Sequence, residues 1–334
     1  MHNEQGIQAE QVRLTGRANI ICILKILEHY SDEDHILGMH EIIDHMRDDF
    51  GLKVDRRTVY SAIAALNTDK LGYDISCYDE NGKGYYLRSR LFEPSEVRLL
   101  TDAVYSLHYI TNKQTSDMVD KIQSTLSINY RSSYKHLFSV NTERKTENRT
   151  VFYNIDVLEE AISEGKKVMF AYMRYGLDKR LHPRREEEYV VNPYSMVCDN
   201  QNYYLICIKE GKSNISYYRI DLMKDIKITD DQIDVKPSEA DLMSTKKIVY
   251  AYAGKQEDIV LRCDNSVIGG VIDKFGTDIR ITACDENRFD VRLRAVPTGV
   301  LYWTMQYLSK VEIISPKSMR EEAIKLIKTN KYEV

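Results

Sequence analysis

The chain has 334 residues, a length at which a single hydrophobic core is unusual, so two or more domains are expected. Its formal net charge of −4 excludes a surface coated with basic residues and requires any contact with DNA to be local. The sequence contains no run of about 18 apolar residues and no signal-peptide pattern at its start, so we expect a cytoplasmic protein without membrane contact.

The first predicted domain, residues 1–91, contains three helices followed by a β-hairpin. RANIICILKILEHY and MHEIIDHMRDDFG show the apolar spacing of amphipathic helices, and VDRRTVYSAIAALN predicts a third helix that begins at an N-cap, Asp55. ISCYDENGKGYYLRSR predicts two strands around a turn at Asn81-Gly82. This order of elements is typical of a winged helix-turn-helix, a DNA-binding domain.

The third predicted helix carries polar and basic side chains opposite its apolar face. Two arginines in its first turn oppose the helix dipole, and an incoming phosphate would convert this unfavourable arrangement into a binding site. The alternative is a structural helical domain whose arginines only face water. We predict binding to double-stranded DNA, and the residues predicted to contact it are Arg56, Arg57, Tyr60, Ser61, Lys83, Arg88 and Arg90.

Three further segments follow in the chain. Residues 92–150 predict a helical bridge that ends in a polar connector, Asn141 to Thr150. Residues 151–235 predict a helix and then four or five short strands, which form a small barrel or a strongly curved sheet. Residues 245–334 show the order βαββαβ of the ferredoxin-like arrangement and a closing helix. The expected fold class is therefore α+β with several domains.

The sequence resembles the WYL-domain transcriptional regulators over about residue 15 to residue 334. The resemblance is carried by DRRTVY and GKGYYL in the first domain, by NPYSMV, and by YYRID followed by MKDI. Tyr203-Tyr204-Leu205 stands at the position of the Trp-Tyr-Leu motif that names the family, with tyrosine in place of tryptophan. Leu222 occupies a position where many members carry a second arginine, so one expected charge contact is absent.

This resemblance implies a winged helix-turn-helix, a helical bridge, a WYL domain with a small Sm-like or SH3-like barrel, and a C-terminal extension called WCX. It also implies that the barrel senses a ligand, which is a nucleotide or single-stranded nucleic acid in some members, and that the protein is a homodimer. We therefore expect a ligand-responsive regulator whose dimer binds an inverted-repeat operator in duplex DNA.

The stretch QNYYLICIKEGKSNISYYRID predicts the hairpin on which a ligand would bind. If KEGKSN is its loop, the antiparallel register sets Tyr204 opposite Arg219 and Ile206 opposite Tyr217. An arginine beside aromatic rings can bind a phosphate or stack on a base, so this face is the candidate site. The residues expected on the other, inward face are Tyr203, Leu205, Tyr218 and Ile220.

The predicted ligand site also draws on the strands and turns before the hairpin. The residues predicted to bind the ligand are Tyr172, Arg180, Arg184, Arg185, Ser195, Tyr204, Tyr217 and Arg219. The alternative is that the tyrosines fill the barrel and that Arg219 pairs with Glu186, Glu187 or Glu188. Exposed pairs of this kind are common and contribute little to stability.

No catalytic motif is present, so we expect neither an enzyme nor a cofactor. The sequence lacks HExxH, GxSxG, a Walker lysine loop and a GxGxxG after a strand. His35, His40 and His45 are spaced by five residues, which would place successive side chains about 140° apart on a helix, so no metal site is predicted. Two alternative functions stay open: an accessory protein that binds single-stranded nucleic acid, and an enzyme that acts on nucleotides but lacks an identifiable general base.

Overall fold

The computed structural model describes residues 16–133, 145–237, 254–329 and 331. The chain forms two compact units, one from Met1–Ser106 with Asn112–Arg144 and one from Leu107–Thr111 with Lys145–Val334. Part of the predicted connector, residues 141–144, and the predicted start of the C-terminal domain at residue 245 lie outside the described residues. Among the helices in the described ranges, none has the length and apolar character needed to cross a membrane.

The first unit begins with three helices that share one apolar core. These helices are α1 (Asn19–Tyr30), α2 (Met39–Phe50) and α3 (Arg56–Leu66). Their fully buried side chains include Ile23, Leu27, Ile42, Met46 and Val59. Asp55 caps α3 as predicted, because its carboxylate accepts hydrogen bonds from the backbone N–H and the hydroxyl of Thr58 at 2.8 and 2.7 Å.

A two-stranded antiparallel hairpin follows the three helices. Strand β1 (Ile75–Ser76) pairs with β2 (Tyr86–Leu87), so the predicted pairing is confirmed. The connection differs from the simple turn that the sequence predicts, because it contains a short helix, α4 (Tyr78–Asn81). Asn81 is the last residue of this helix, and its side-chain oxygen accepts hydrogen bonds from the backbone N–H groups of Lys83 and Gly84. These bonds fix the turn that leads into β2.

The described part of this unit also contains α5 (Pro94–Ser106), α6 (Asn112–Gln123) and α7 (Ile128–Ser133).

A buried aspartate holds the loop between α1 and α2. The Asp32 carboxylate accepts hydrogen bonds from the backbone N–H of His35 at 2.8 Å and from the hydroxyl of Ser127, and it lies 2.7 Å from the His35 ring. Burial alone raises the pKa of a carboxyl group, but the hydrogen bonds from Ser127 and His35 outweigh it, so the pKa of Asp32 lies below its ordinary value.

The first part of the second unit is a helix packed on an antiparallel sheet. Helix α8 spans Val151–Glu164 and buries Leu158 and Ala161. The strands are β3 (Lys166–Tyr175), β4 (Leu181–Pro183), β5 (Tyr189–Asp199), β6 (Asn202–Lys209), β7 (Ile215–Arg219) and β8 (Met223–Gln232). The order is β4-β3-β5-β6-β7, and β8 returns to pair with β3 after a 3₁₀ turn, Ile220–Leu222. The sequence predicts four or five strands here, and β4 is the additional one.

The C-terminal part of the second unit has the predicted order βαββαβ and a final helix. Its elements are β9 (Glu257–Asp264), α9 (Ile268–Phe275), β10 (Arg280–Ala283), β11 (Arg288–Ala295), α10 (Pro297–Gln306), β12 (Val311–Ser315) and α11 (Lys317–Lys328). The sheet is antiparallel throughout, in the order β10-β11-β9-β12. One sheet face and the helices enclose a core that includes Leu261, Val291 and Trp303.

Replacing Gly84 with alanine is expected to destabilise the first unit. Leu37 and Tyr85 exchange two backbone hydrogen bonds at 2.9 and 2.8 Å, which attach the hairpin to the loop before α2. A Cβ on Gly84 would overlap the Leu37 carbonyl, so the two segments would have to separate, at a cost of roughly 1–3 kcal/mol. Urea denaturation measures the loss, and Lys83→Ala, which truncates the exposed neighbour, is the control. Equal midpoints for both variants would contradict the close contact.

Replacing Asp32 with asparagine is expected to remove an acid-sensitive part of the stability of the first unit. Because the folded-state pKa is depressed, this contribution is complete above the unfolded pKa and is lost as the pH falls through the folded pKa. We expect Asp32→Asn to lose about 1–3 kcal/mol at pH 7 and progressively less below about pH 4. Urea denaturation across this pH range is the measurement, with the exposed neighbour variant Asp34→Asn as control. A pH-independent difference between wild type and Asp32→Asn would refute it.

Candidate functional site

The outer face of α3 is the first candidate surface. The buried face of the helix directs Arg56, Arg57, Tyr60 and Ser61 to solvent, as the sequence predicts. One guanidinium nitrogen of Arg56 lies 2.7 Å from the His40 ring on α2. Within the segments that the structure describes, Arg57 makes no hydrogen bond or ion pair. Arg57 is therefore the cation of this face that is most available to an external anion.

The three basic residues of the predicted hairpin surface have different surroundings. Lys83 is exposed at the tip of the hairpin. Arg88 donates hydrogen bonds to the carboxylates of Asp74 and Glu80 at 2.9 and 2.8 Å, so its charge is compensated within the protein. The charge of Lys83 is therefore available to DNA as predicted, whereas the charge of Arg88 is less available.

Arg90 is placed differently from the sequence-based prediction. Its guanidinium donates hydrogen bonds to the carbonyl oxygens of Glu28, at 2.9 Å, and of Ser31. Both carbonyls lie at the C-terminal end of α1, where the helix dipole favours a cation. Arg90 thus joins the end of the hairpin to α1, and we leave it out of the proposed DNA-binding surface.

The hairpin of β6 and β7 forms the second candidate surface. The predicted register is confirmed, since Tyr204 lies opposite Arg219 and Ile206 lies opposite Tyr217. On the other face Leu205, Tyr218 and Ile220 are buried as predicted. Tyr203 differs from the prediction, because it is only half-buried and stacks on Tyr109 with ring centroids 5.3 Å apart. Its packing partner comes from residues 107–111, a segment distant in sequence, which the hairpin pattern alone does not reveal.

Arg219 is the centre of this surface. Its Nε and Nη2 donate to the two carboxylate oxygens of Asp221 at 3.1 and 2.8 Å, a bidentate pair, in place of the alternative pairing with Glu186, Glu187 or Glu188. The backbone N–H of Arg219 donates to the Tyr172 hydroxyl at 3.1 Å. The Asp221 side chain is fully buried, whereas 31% of the Arg219 side chain is exposed. Three of the five guanidinium N–H groups stay outside the pair with Asp221 and can bind a ligand.

Two asparagines hold the turn that carries Asp221. The Asn148 amide donates to the carbonyls of Asp221 and Met223 at 2.9 and 3.1 Å. The buried Asn154 amide, on α8, donates to the carbonyls of Ile220 and Met223 at 3.3 and 3.2 Å. These bonds fix the backbone around the buried carboxylate, so Arg219 is positioned before any ligand binds.

The tyrosines of this surface remain neutral donors at physiological pH. Burial raises the pKa of Tyr217 to about 12 and also raises the pKa of Tyr204. Burial raises the pKa of Tyr172 as well, although the hydrogen bond from Arg219 and its charge act in the opposite direction. Phenol groups that stay protonated beside a guanidinium can donate hydrogen bonds to an anionic ligand.

Tyr172, Tyr204 and Arg219 lie together and Arg184 lies next to Tyr172, whereas Arg180, Arg185 and Ser195 are not brought to Arg219. The Arg184 backbone donates to the Tyr172 carbonyl at 2.8 Å, and its charge acts on the Tyr172 hydroxyl. Arg185 lies over the Tyr189 ring, 3.7 Å from its centroid, and donates to the carbonyls of Glu187 and Glu188. Arg180 and Ser195 are exposed, and their placement shows no contact with Arg219.

The sequence-based prediction omits several residues of this site. Asp221, Asn148 and Asn154 are absent from it, although the Arg-x-Asp spacing in YYRID is a signal for the first of them. The two asparagines act from segments far away in sequence, so no local pattern identifies them. Among the described residues, no group of three or more His, Cys, Asp or Glu side chains is arranged to hold a metal ion.

Comparison with known proteins finds one family model and distant similarities to solved structures. The family model described as "WYL domain" matches residues 153–228, and a comparison with curated proteins finds no match. Proteasome accessory factor B/C (PafBC) of Arthrobacter aurescens is 14% identical, with a TM-score of 0.26 over 98% of this chain and 51% of that chain. This chain therefore spans about half the length of PafBC.

A structure described as a CRISPR Cas-related protein is 13% identical, with a TM-score of 0.38 over 93% of this chain and 82% of that chain. The segment that matches the family model begins in α8 and ends in β8, so it includes strands β3 to β7 and the pair formed by Arg219 and Asp221. The sequence-based resemblance is thereby confirmed, and residues 153–228 of this chain belong to the WYL-domain family.

Proposed function

We propose that this protein is a ligand-responsive, DNA-binding transcriptional regulator. The observation that carries the proposal is the outer face of α3, where Arg57 is exposed without a partner in the described segments, next to exposed Tyr60 and Ser61. Arginine at the start of a recognition helix is suited to phosphates and to guanine edges in the major groove. The exposed Lys83 supports a flanking contact of the hairpin with the DNA backbone.

The three helices and the hairpin act in this proposal as a winged helix-turn-helix, and residues 254–329 act as a WCX domain. The protein would bind as a homodimer, so its operator would be an inverted repeat whose half-sites are about one helical turn, or a multiple of it, apart. Because the net charge is −4, specific binding would depend on the local cations of α3 and the hairpin.

The WYL domain would bind the signal at Arg219. A guanidinium that is held by Asp221 and is 31% exposed, beside the hydroxyls of Tyr172 and Tyr204, fits a phosphate of a nucleotide or of a single strand. The buried carboxylate orients the guanidinium and leaves its remaining N–H groups for the ligand. Ligand binding would change how the protein engages its operator.

Arg57→Ala is expected to weaken operator binding by about tenfold or more, since one good arginine contact contributes about 1–3 kcal/mol. The probe is a duplex selected from a random pool by the wild-type protein, and binding is measured by gel-shift titration. Arg47→Ala is the matched control, because Arg47 is an exposed arginine of α2 whose charge is already paired with Asp44 and Asp48. Equal affinities of the two variants would refute the proposed recognition face.

Footprinting on the selected duplex provides an independent test. A regulator should protect a discrete site with two-fold symmetry. An accessory protein would hold single strands in its WYL domain and use the three helices and the hairpin only for attachment. It should protect no discrete duplex site and should prefer single-stranded competitors.

Arg219→Ala is expected to destabilise the second unit, because it leaves the fully buried Asp221 carboxylate without its counter-ion. The loss should be roughly 2–4 kcal/mol, below the value for a completely buried pair because Arg219 is partly exposed. Asp221→Asn added to Arg219→Ala should recover part of the loss, since it removes the buried charge. Urea denaturation measures both variants. A fully stable Arg219→Ala variant would contradict this role of the pair.

Arg219→Lys separates ligand binding from folding, since it keeps the charge but not the planar fork. Native mass spectrometry of the purified protein identifies small molecules or oligonucleotides that co-purify with the wild type, and we expect at least a tenfold lower occupancy in Arg219→Lys. Arg174→Lys, at an exposed position on β3, is the matched control. Equal occupancy in both variants would show that the ligand binds elsewhere.

A further inference from the structure

The C-terminal sheet has an outer face that carries several arginines. Alternate residues of β9, β11 and β12, such as Leu261, Val291 and Ile313, are buried against the helices. The residues between them therefore lie on the opposite face. The arginines at these positions and at the start of β10 are Arg262, Arg280, Arg288, Arg292 and Arg294.

Two neighbouring rows of this face differ in how their charges are compensated. In one row Arg262 lies opposite Asp290 and donates to both of its carboxylate oxygens, at 2.9 and 3.1 Å. In the next row Arg280 lies directly opposite Arg292, whose neighbour on β9 is Val260. Both of these arginines are exposed, and neither forms an ion pair within the described part of the chain.

Two arginines directly opposite each other are an unfavourable pair. Cβ atoms at such positions are about 4.5–5.5 Å apart, and like charges there destabilise a sheet. The charges cannot be removed by loss of a proton, because arginine stays protonated in proteins. An anion bound between the guanidinium groups would convert the repulsion into two charge-assisted contacts, and each planar fork matches phosphate geometry.

The surroundings of the pair offer contacts for a ligand larger than a simple ion. The two arginines line an open depression of about 840 Å³ that also contains Val260, Arg294 and Asp258. Val260 offers apolar contact next to Arg292, and the carboxylate of Asp258 can accept hydrogen bonds from hydroxyl or amino groups. The carboxylates of Asp258 and Asp278, both in the lining, repel a continuous track of phosphates.

We propose that Arg280 and Arg292 form a binding site for one phosphate group of a nucleotide, either free or within a strand. This site shares no residue with the Arg219 surface and lies on different strands. It does not depend on the proposed role of the WYL domain. The C-terminal domain thus carries its own contact for a phosphate-bearing ligand.

The single tryptophan of the chain allows this site to be tested in the full-length protein. Trp303 is buried in the core beneath the C-terminal sheet, so its fluorescence reports unfolding of this domain. The probes are thymidine 5′-monophosphate and an oligothymidylate strand, each compared with sodium chloride at the same ionic strength. At about a hundredfold excess over Kd, either probe should raise the midpoint of thermal unfolding by about 5 °C or more.

Arg280→Gln and Arg292→Gln should each abolish this rise. Arg288→Gln is the matched control, because Arg288 lies on the same strand and face as Arg292 but pairs with Asp285 at 2.7 Å. The control should keep the rise. A rise with the strand alone assigns the site to phosphates within nucleic acid, and a rise with both probes assigns it to nucleotides in general. No rise with either probe, or an equal rise in all variants, would overturn the proposal.

The ligand-free proteins provide a second readout. At low ionic strength Arg292→Gln should unfold at a temperature about 1–3 °C higher than Arg288→Gln, since one change removes repulsion and the other removes an ion pair. A lower midpoint for Arg292→Gln would show that Arg280 and Arg292 do not repel each other, and it would remove the basis of the proposal.

Discussion

The candidate ligand surface of the WYL domain depends on one buried charge, the carboxylate of Asp221. A fully buried carboxylate requires a counter-ion and hydrogen-bond donors, and Arg219 supplies both through a bidentate contact. The backbone that carries the carboxylate is held in turn by Asn148 and Asn154. Because the guanidinium is held by two hydrogen bonds to the buried carboxylate, its orientation towards solvent is fixed. The stability of the turn and the geometry of the ligand surface therefore have the same physical cause.

Four arginines of the described residues differ in whether the protein itself compensates their charge. Arg90 and Arg219 bind groups of the protein itself, at the C-terminal end of a helix and at a buried carboxylate. Arg57 and Arg292 are exposed and make no ion pair within the described segments. The local surroundings of each arginine, and not the overall charge, indicate where a polyanion would bind.

Much of this arrangement can be predicted from the sequence, because it follows from local patterns. The register of β6 and β7 follows from strand alternation and the loop between the strands, so the position of Tyr204 opposite Arg219 is predictable. The cap at Asp55 and the outward face of α3 follow from helical spacing. The roles of Arg90 and Tyr203 could not be predicted in this way, since their partners come from segments distant in sequence.

The case of Asp221 is different, because its partner is only two residues away. Alternation along a regular strand would place Arg219 and Asp221 on the same face, but it would not bury one and expose the other. The 3₁₀ turn at Ile220–Leu222 ends the strand after Arg219, which turns the carboxylate into the interior while the guanidinium stays at the surface. The sequence contains the two charges, and the departure from the regular strand is what gives them different environments. A short irregular turn thus makes a local ion pair into the anchor of the candidate ligand surface.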